Sequence, residues 1–262
     1  MVTEKFDLGE VQIEALVNGS GDIIILLPGL GGDATNFNYF TPLLNIAGYK
    51  TVAINMRGIG LSKGPLVDLT LHDFANDIAG VIKCLGEKPV HVLGWAYGNR
   101  VTRCLAEDYP HLVSTVILIA AGGKVPPDED TSKMFAKLWK PNLSGEERLK
   151  AIKFSLFSPS TDMEIIIRSM SGRKTWPEAT QSQSKANIAT PIDEWWNGGK
   201  APMLVIQGTD DRMAVPENGR ILKKDNQKRV KLIYLEKAGH LMIYEQPETI
   251  ANKIISFISN LT

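Results

Sequence analysis

The chain has 262 residues, of which 44% are hydrophobic and 22% are charged, and this profile excludes disordered, collagen-like and fibrous proteins. Lysine plus arginine and aspartate plus glutamate number 29 each, so no long-range field attracts phosphate backbones or anionic lipids. We therefore expect neither a nucleic acid nor a membrane as a partner.

Short β-branched runs alternate with longer amphipathic segments, which predicts a mainly parallel sheet wrapped by helices. The runs 11–17 and 23–27 are separated by a turn at 18–22, and this spacing predicts an antiparallel hairpin. Five further runs are apolar nearly throughout, as expected for central strands that are covered on both faces. They are residues 51–54, 90–93, 115–120, 203–207 and 231–235.

Helices between these strands are predicted from caps and from apolar spacing. One opens at Thr70, a second spans about residues 99–108, and two more follow Pro216 and Pro247. Residues 122–200 interrupt the alternation with helical patterns and no obvious strand. We interpret them as a helical cap inserted into an α/β core of residues 1–121 and 201–262. The acidic run 128–130 is interpreted as a solvated turn at the start of this cap.

The expected compartment is the cytoplasm. Residues 1–10 lack the order of basic, then apolar, then small residues that a signal peptide has. The apolar run 23–27 is too short to span a bilayer. Cys84 and Cys104 both fall on helical patterns. Two buried thiols in a reducing compartment explain them better than a disulfide.

The most informative stretch is a buried strand that runs straight into a helix through Gly94-Trp95-Ala96-Tyr97-Gly98. So sharp a turn strains its corner residue, and small neighbours two positions away on either side avoid a collision. This is the frame of a nucleophile elbow, but its corner is Ala96, which has no oxygen and cannot form an acyl intermediate. An ordinary strand-to-helix turn with two convenient glycines is the alternative.

An acid and an imidazole follow two neighbouring strands. Asp210 and Asp211 come after the strand at 203–207, and His240 comes after the strand at 231–235. Ligands bind at the carboxyl ends of strands in open α/β sheets, and a carboxylate there can orient a histidine. Either aspartate could serve, since an Asx residue can also cap its own turn. A surface-loop histidine is the alternative for His240.

The glycine-rich loop 28–32 leaves backbone N–H groups free over the sheet edge. The N–H groups of Leu30 and Tyr97 could form a two-donor anion site. The loop also weakly matches a dinucleotide fingerprint, but Pro42 would break the helix that such a loop opens, and the second strand ends in Asn55 instead of an acid. We expect no cofactor, and no spacing of histidines, cysteines or carboxylates predicts a metal site.

The tryptophans are candidates for the wall of an apolar ligand pocket. Trp139, Trp176, Trp195 and Trp196 lie in or next to the expected cap, and Trp95 lies in the elbow. The alternative is that they only hold the cap together.

In combination these residues resemble the α/β-hydrolase superfamily over almost the whole chain. The motifs that carry the resemblance are Pro28-Gly29, Arg57-Gly58-x-Gly60-x-Ser62, Gly94-x-Ala-x-Gly98, Gly208-x-x-Asp211, Gly239-His240 and Glu245-Gln-Pro-Glu248. Nucleophile position, acid and histidine also occur in the chain order of that family. The resemblance implies a mostly parallel eight-stranded sheet with helices on both faces and an inserted helical cap.

The resemblance also implies roles for individual residues. Ala96 stands at the nucleophile position, Asp211 is favoured over Asp210 to complete the triad with His240, and the N–H groups of Leu30 and Tyr97 form the oxyanion hole. The implied substrate is a small, apolar or moderately polar carboxylic ester or lactone, and the chain is expected to be a monomer or a homodimer.

Three interpretations of Ala96 stay open. The chain is a hydrolase inactivated at its nucleophile, for example by engineering; or a natural member that uses the Asp211 and His240 pair for base or lyase-type chemistry; or a small-molecule binding protein without catalysis.

Overall fold

The computed structural model describes residues 2–86, 88–140 and 142–261, and it contains one eight-stranded sheet. The strands are β1 (Val2–Asp7), β2 (Gln12–Asn18), β3 (Asp22–Leu27), β4 (Tyr49–Asn55), β5 (Val90–Trp95), β6 (Val113–Ile119), β7 (Met203–Gly208) and β8 (Val230–Leu235). Their order in the sheet is β1-β2-β4-β3-β5-β6-β7-β8. All pairs from β4 to β8 are parallel, whereas β2 pairs antiparallel with β1 and with β4.

Ten helices accompany the sheet in the described part of the chain. They are α1 (Thr41–Ile46), α2 (Leu71–Cys84), α3 (Gly98–Asp108), α4 (Glu129–Lys137), α5 (Gly145–Leu156), α6 (Met163–Met170), α7 (Pro177–Ala189), α8 (Glu217–Asp225), α9 (Met242–Glu245) and α10 (Pro247–Ser259). None of these helices is long and apolar enough to cross a membrane.

Helices cover both faces of the sheet, as the sequence predicts. On β3, Ile25 and Leu27 pack into one core cluster with α2 and α3, while Ile24 and Leu26 pack into a second cluster with α1 and α10. Because successive strand residues point to opposite faces, a strand that is covered twice must be apolar throughout. This explains why the central strands carry almost no polar residues.

The predicted hairpin of residues 11–17 and 23–27 is wrong. Both runs are strands, but β4 lies between β2 and β3 and pairs with each of them. The turn at 18–22 therefore leads the chain past the position that β4 fills. The antiparallel partner of β2 is β1, an edge strand that the sequence interpretation missed because its residues are mostly polar or charged and only Phe6 is buried.

The chain between β6 and β7 contains α4 to α7 and no strand among its described residues. We call α4 to α7 the inserted helices and the chain between β6 and β7 the inserted segment; the boundaries of the cap at 121/122 and 200/201 stay a prediction. The acidic run at 128–130 is not a free turn, because Asp128 caps α4 by accepting the N–H of Thr131 at 2.7 Å. The expectation of two buried thiols is half wrong, since Cys104 is buried but Cys84 is exposed at the end of α2.

Candidate active site

The elbow has a strained corner that two glycines make possible. Ala96 has a φ of +51°, in the left-handed region that residues with a Cβ rarely occupy. A Cβ built on Gly98 would lie 2.2 Å from the carbonyl oxygen of Leu27, and one built on Gly94 would lie 2.5 Å from the Cα of Asn99. The chain can therefore turn from β5 into α3 against β3 only with glycine at both positions.

His240 pairs with Asp211 and not with Asp210. Its Nδ1 lies 3.1 and 3.0 Å from the two carboxylate oxygens of Asp211, whose side chain is fully buried. The same carboxylate accepts the N–H groups of Met213 and Ala214 at 2.9 and 2.8 Å, which fix its orientation. Asp210 instead accepts the hydroxyl of a serine in the inserted segment, 2.6 Å away. Imidazole and carboxylate are thus held as an acid–base pair.

The loop after β3 passes directly over the elbow. A Cβ built on Gly29 would lie 3.5 Å from that of Ala96. Within the described structure, the N–H groups of Leu30 and Tyr97 donate to no protein acceptor. The next N–H, of Gly31, donates to Gln183 of α7 at 2.8 Å, so an inserted helix holds this loop. Two unbonded N–H groups at this place can receive a negatively charged oxygen.

One cavity of about 390 Å³ joins these parts. Its wall includes Leu30, Ala96, Tyr97 and His240, and the inserted helices contribute Leu156 and Ile188 among others. Asp211 lies behind His240, outside the wall. A volume of this order accommodates a small organic molecule.

The structure brings one of the five candidate tryptophans to this cavity. Trp95 lines it and donates its indole N–H to the carbonyl oxygen of His240 at 3.2 Å. Trp139 is 63% exposed, and Trp176 packs against the core cluster of α2 and α3.

Trp195 and Trp196 are buried away from the cavity, where their rings flank the guanidinium of Arg103 at 4.4 and 5.1 Å. The aromatic chamber expected from the sequence does not form, because the chain at 195–196 packs against α3 before it enters β7.

Glu245 fixes the loop that carries His240, residues 236–241, to the inserted segment. We call this loop the histidine loop. Its carboxylate accepts the N–H of Gly239 at 2.7 Å, the N–H of Ser158 at 2.9 Å and the hydroxyl of Thr161. Burial raises the pKa of Glu245 despite these hydrogen bonds. The first glutamate of the Glu-Gln-Pro-Glu motif therefore positions the backbone next to His240.

Arg100 is a site residue that the sequence interpretation did not single out. It lines the cavity from the first turn of α3, four residues after Ala96. Its place at the start of the helix that follows the elbow was a readable signal, because the amino-terminal end of this helix lies at the edge of the sheet where ligands bind.

The fold and the site together define the class of protein. The sequence profile of the alpha/beta hydrolase fold family matches residues 22–247, and the chain belongs to this family, as its motifs predicted.

Relatives align along nearly the whole chain. A 2-(acetamidomethylene)succinate hydrolase of Mesorhizobium japonicum is 24% identical over 98% of this chain and 95% of its own length. A pyrrolizixenacetamide deacetylase of Xenorhabdus hominickii is 23% identical over 97% of both chains. The structure of a malate-bound thermophilic esterase from Thermogutta terrifontis has a TM-score of 0.81, with 20% identity and 99% of each chain covered. This structural likeness shows a shared fold.

Proposed function

We propose that the chain carries the acyl-transfer site of a carboxylic ester or lactone hydrolase in which Ala96 stands where the nucleophilic serine is expected. The observation that carries the proposal is the meeting of the elbow, the His240 imidazole and two unbonded N–H groups around one cavity. Serine acyl transfer needs these parts and a hydroxyl at the corner. The hydroxyl is the missing part.

With a serine at position 96, His240 would accept the hydroxyl proton and Asp211 would stabilise the resulting imidazolium. The N–H groups of Leu30 and Tyr97 would receive the oxyanion, and water would release the acyl group. The relatives named as hydrolase, deacetylase and esterase support this reaction class.

A second candidate is base catalysis by the chain as it stands. The methyl group of Ala96 cannot attack a carbonyl, but His240 can take a proton from water or from an acidic group of the ligand. The complete pairing of His240 with the fully buried Asp211 carboxylate favours this candidate, because that step needs no group at position 96.

The first candidate is tested by Ala96→Ser, with Ala96→Gly as the control that adds no oxygen. Ala96→Ser is expected to hydrolyse short-chain nitrophenyl esters and to gain the mass of one serine-directed phosphonate adduct. Ala96→Gly and the double variant Ala96→Ser/His240→Ala should lose both properties. A folded Ala96→Ser protein without turnover and without an adduct contradicts the proposal.

The second candidate is tested on the unaltered chain and on His240→Gln with small esters and lactones, and products are counted by mass spectrometry. Multiple turnover that His240→Gln abolishes supports base catalysis. Equal rates in the two proteins end that candidate. Ligand-dependent thermal stabilisation without any product indicates binding without catalysis.

A further inference from the structure

Arg100 carries a charge in the cavity wall without an acidic partner. Its Nη1 donates to the side-chain oxygen of Asn187 on α7, and its guanidinium lies 5.7 Å from the centre of the Trp195 ring. Nε and Nη2 donate to no described residue, and no carboxylate of the described chain lies within 4 Å of Arg100. Two donor groups of this side chain are therefore free for a ligand.

Partial burial makes this unpaired charge unfavourable. Desolvation lowers the pKa of Arg100, and a cation that is partly removed from water without a counter-ion is destabilised. Arg57, the comparable arginine after β4, is instead paired in two-pronged geometry with Asp77, at 2.7 and 2.6 Å. Arg57 thus has a carboxylate partner, whereas Arg100 has none within 4 Å among the described residues.

The surroundings of Arg100 add positive charge and do not neutralise it. Arg103, one turn along α3, is fully buried and bonded to Asn99 and to the carbonyl oxygen of Gly122. The amino-terminal end of α3, with its partial positive charge, also faces the cavity. The carboxylate of Asp211 is already paired with His240.

Asp33 lines the cavity. Its carboxylate accepts the N–H and hydroxyl of Thr35. At the mouth, Arg173 and Lys174 are exposed and also line the cavity. The charges of the wall are therefore positive in excess.

We infer that the cavity binds a ligand bearing one carboxylate, with Arg100 as its counter-ion. The inference names the substrate class of the proposed acyl-transfer site and in that respect rests on the proposed function. The planar fork of a guanidinium matches a carboxylate with two parallel hydrogen bonds. The partly buried guanidinium of Arg100 balances one negative charge, whereas a phosphate monoester carries about 1.5 to 2.

The test compares the dissociation constants of three probes for the unaltered chain: hexanoate, the isosteric neutral hexanamide, and hexyl phosphate. Hexanoate should bind about tenfold tighter than hexanamide, or more, because it receives charged hydrogen bonds. Arg100→Gln should bring this ratio close to one, and Arg100→Lys should keep part of it. Arg220→Gln, which removes one charge from the surface of α8, should leave the ratio unchanged.

Equal affinities of hexanoate and hexanamide for the unaltered chain overturn the inference, as does an undiminished ratio in Arg100→Gln. Preferred binding of hexyl phosphate overturns the assignment of a single carboxylate. Should Arg100→Gln fail to fold, the probe pair on the unaltered chain and on Arg100→Lys still decides. If the Ala96→Ser protein is inactive but keeps the preference for hexanoate, only the proposed function is contradicted. If it is active but lacks this preference, only the present inference is contradicted.

Discussion

The sheet side of the site and the side formed by α7 are built differently. On the sheet side, backbone groups in close contact fix the geometry: the Cα of Gly98 packs against the carbonyl of Leu27, and two consecutive N–H groups hold Asp211. Helix α7 reaches the site through side chains: Gln183 contacts the loop after β3, and Asn187 contacts Arg100.

This difference predicts which substitutions abolish folding or the reaction and which only alter the ligand affinity or the rate. A backbone contact cannot be changed without moving a strand or a helix, so we expect changes on the sheet side to abolish folding or reaction. A side-chain contact can be replaced singly, so changes in α7 should shift affinity or rate while the fold persists. The predictions below test this comparison.

The largest effect is expected from Asp211→Asn in the Ala96→Ser background. The amide presents a donor to His240 and stabilises the wrong tautomer, so kcat should fall by roughly 10³- to 10⁴-fold. Asp210→Asn is the matched control, because Asp210 contacts Ser158 and not the imidazole. Similar losses in the two variants would show that the neighbouring acid also serves the reaction.

Gly98→Ala should come next. Its Cβ would lie 2.2 Å from a carbonyl oxygen of β3, so the free energy of unfolding should fall by about 3 kcal/mol or more. Gly145→Ala at the start of α5, where an added Cβ meets nothing within 4 Å, should leave stability nearly unchanged. Urea unfolding followed by circular dichroism measures both, and equal stability of the two variants would refute the close-packing argument.

A smaller loss is expected from Gln183→Leu. The variant leaves the N–H of Gly31 without an acceptor, which should lower the free energy of unfolding by about 1–3 kcal/mol. In the Ala96→Ser background kcat should fall more than KM changes, because the adjacent Leu30 N–H loses its fixed place. Ser182→Ala, on the same helix, removes a buried hydroxyl without a partner among the described residues and should be neutral. An unchanged kcat in Gln183→Leu would count against the positioning role.

The smallest effect concerns His72, which bridges Asp108 of α3 and Glu194 near the end of the inserted segment at 2.7 and 2.9 Å. Partial burial acts to lower the pKa of His72, but the hydrogen bonds and charges of both carboxylates outweigh it, so the pKa is raised. A raised pKa stabilises the folded state below the unfolded value, about 6.5. This stabilisation is lost as the pH rises through the folded value.

The difference in unfolding free energy between the unaltered chain and His72→Gln should therefore be greatest near pH 6, at no more than about 1 kcal/mol for so exposed a cluster. It should shrink towards pH 8. His111→Gln, at an exposed histidine without a carboxylate contact in the described structure, is the control. A difference that grows with pH would contradict the assignment.

The strands could be predicted because each is a local apolar run, and the family motifs carried the fold class. Sheet order was harder, since nothing in residues 11–27 records that β4 passes between β2 and β3. The edge strand β1 was missed because it has only one buried residue, Phe6.

The same limit applied to the site. The pairing of His240 with an acid could be predicted, because both residues follow neighbouring strands whose carboxyl ends meet at one edge of the sheet. The environment of Trp195 and Trp196 depends on how the inserted segment returns to α3, which no local pattern records. Arg100 could be predicted only in part. Its spacing from Ala96 is readable from the sequence, but its lack of an acidic partner is visible only in the structure.

The inserted segment is hydrogen-bonded to the sheet side at residues 158–161 but is open to solvent near Ile188, and this difference determines where a ligand can enter the cavity. Residues 158–161 are bound to the sheet side through Glu245 and Asp210, so a gap cannot open there without displacing the histidine loop. Ile188 lines the cavity yet is 82% exposed. We therefore expect ligands to enter and leave the cavity past Ile188. A bulkier side chain at this position should slow association and dissociation alike and leave the dissociation constant of the ligand unchanged.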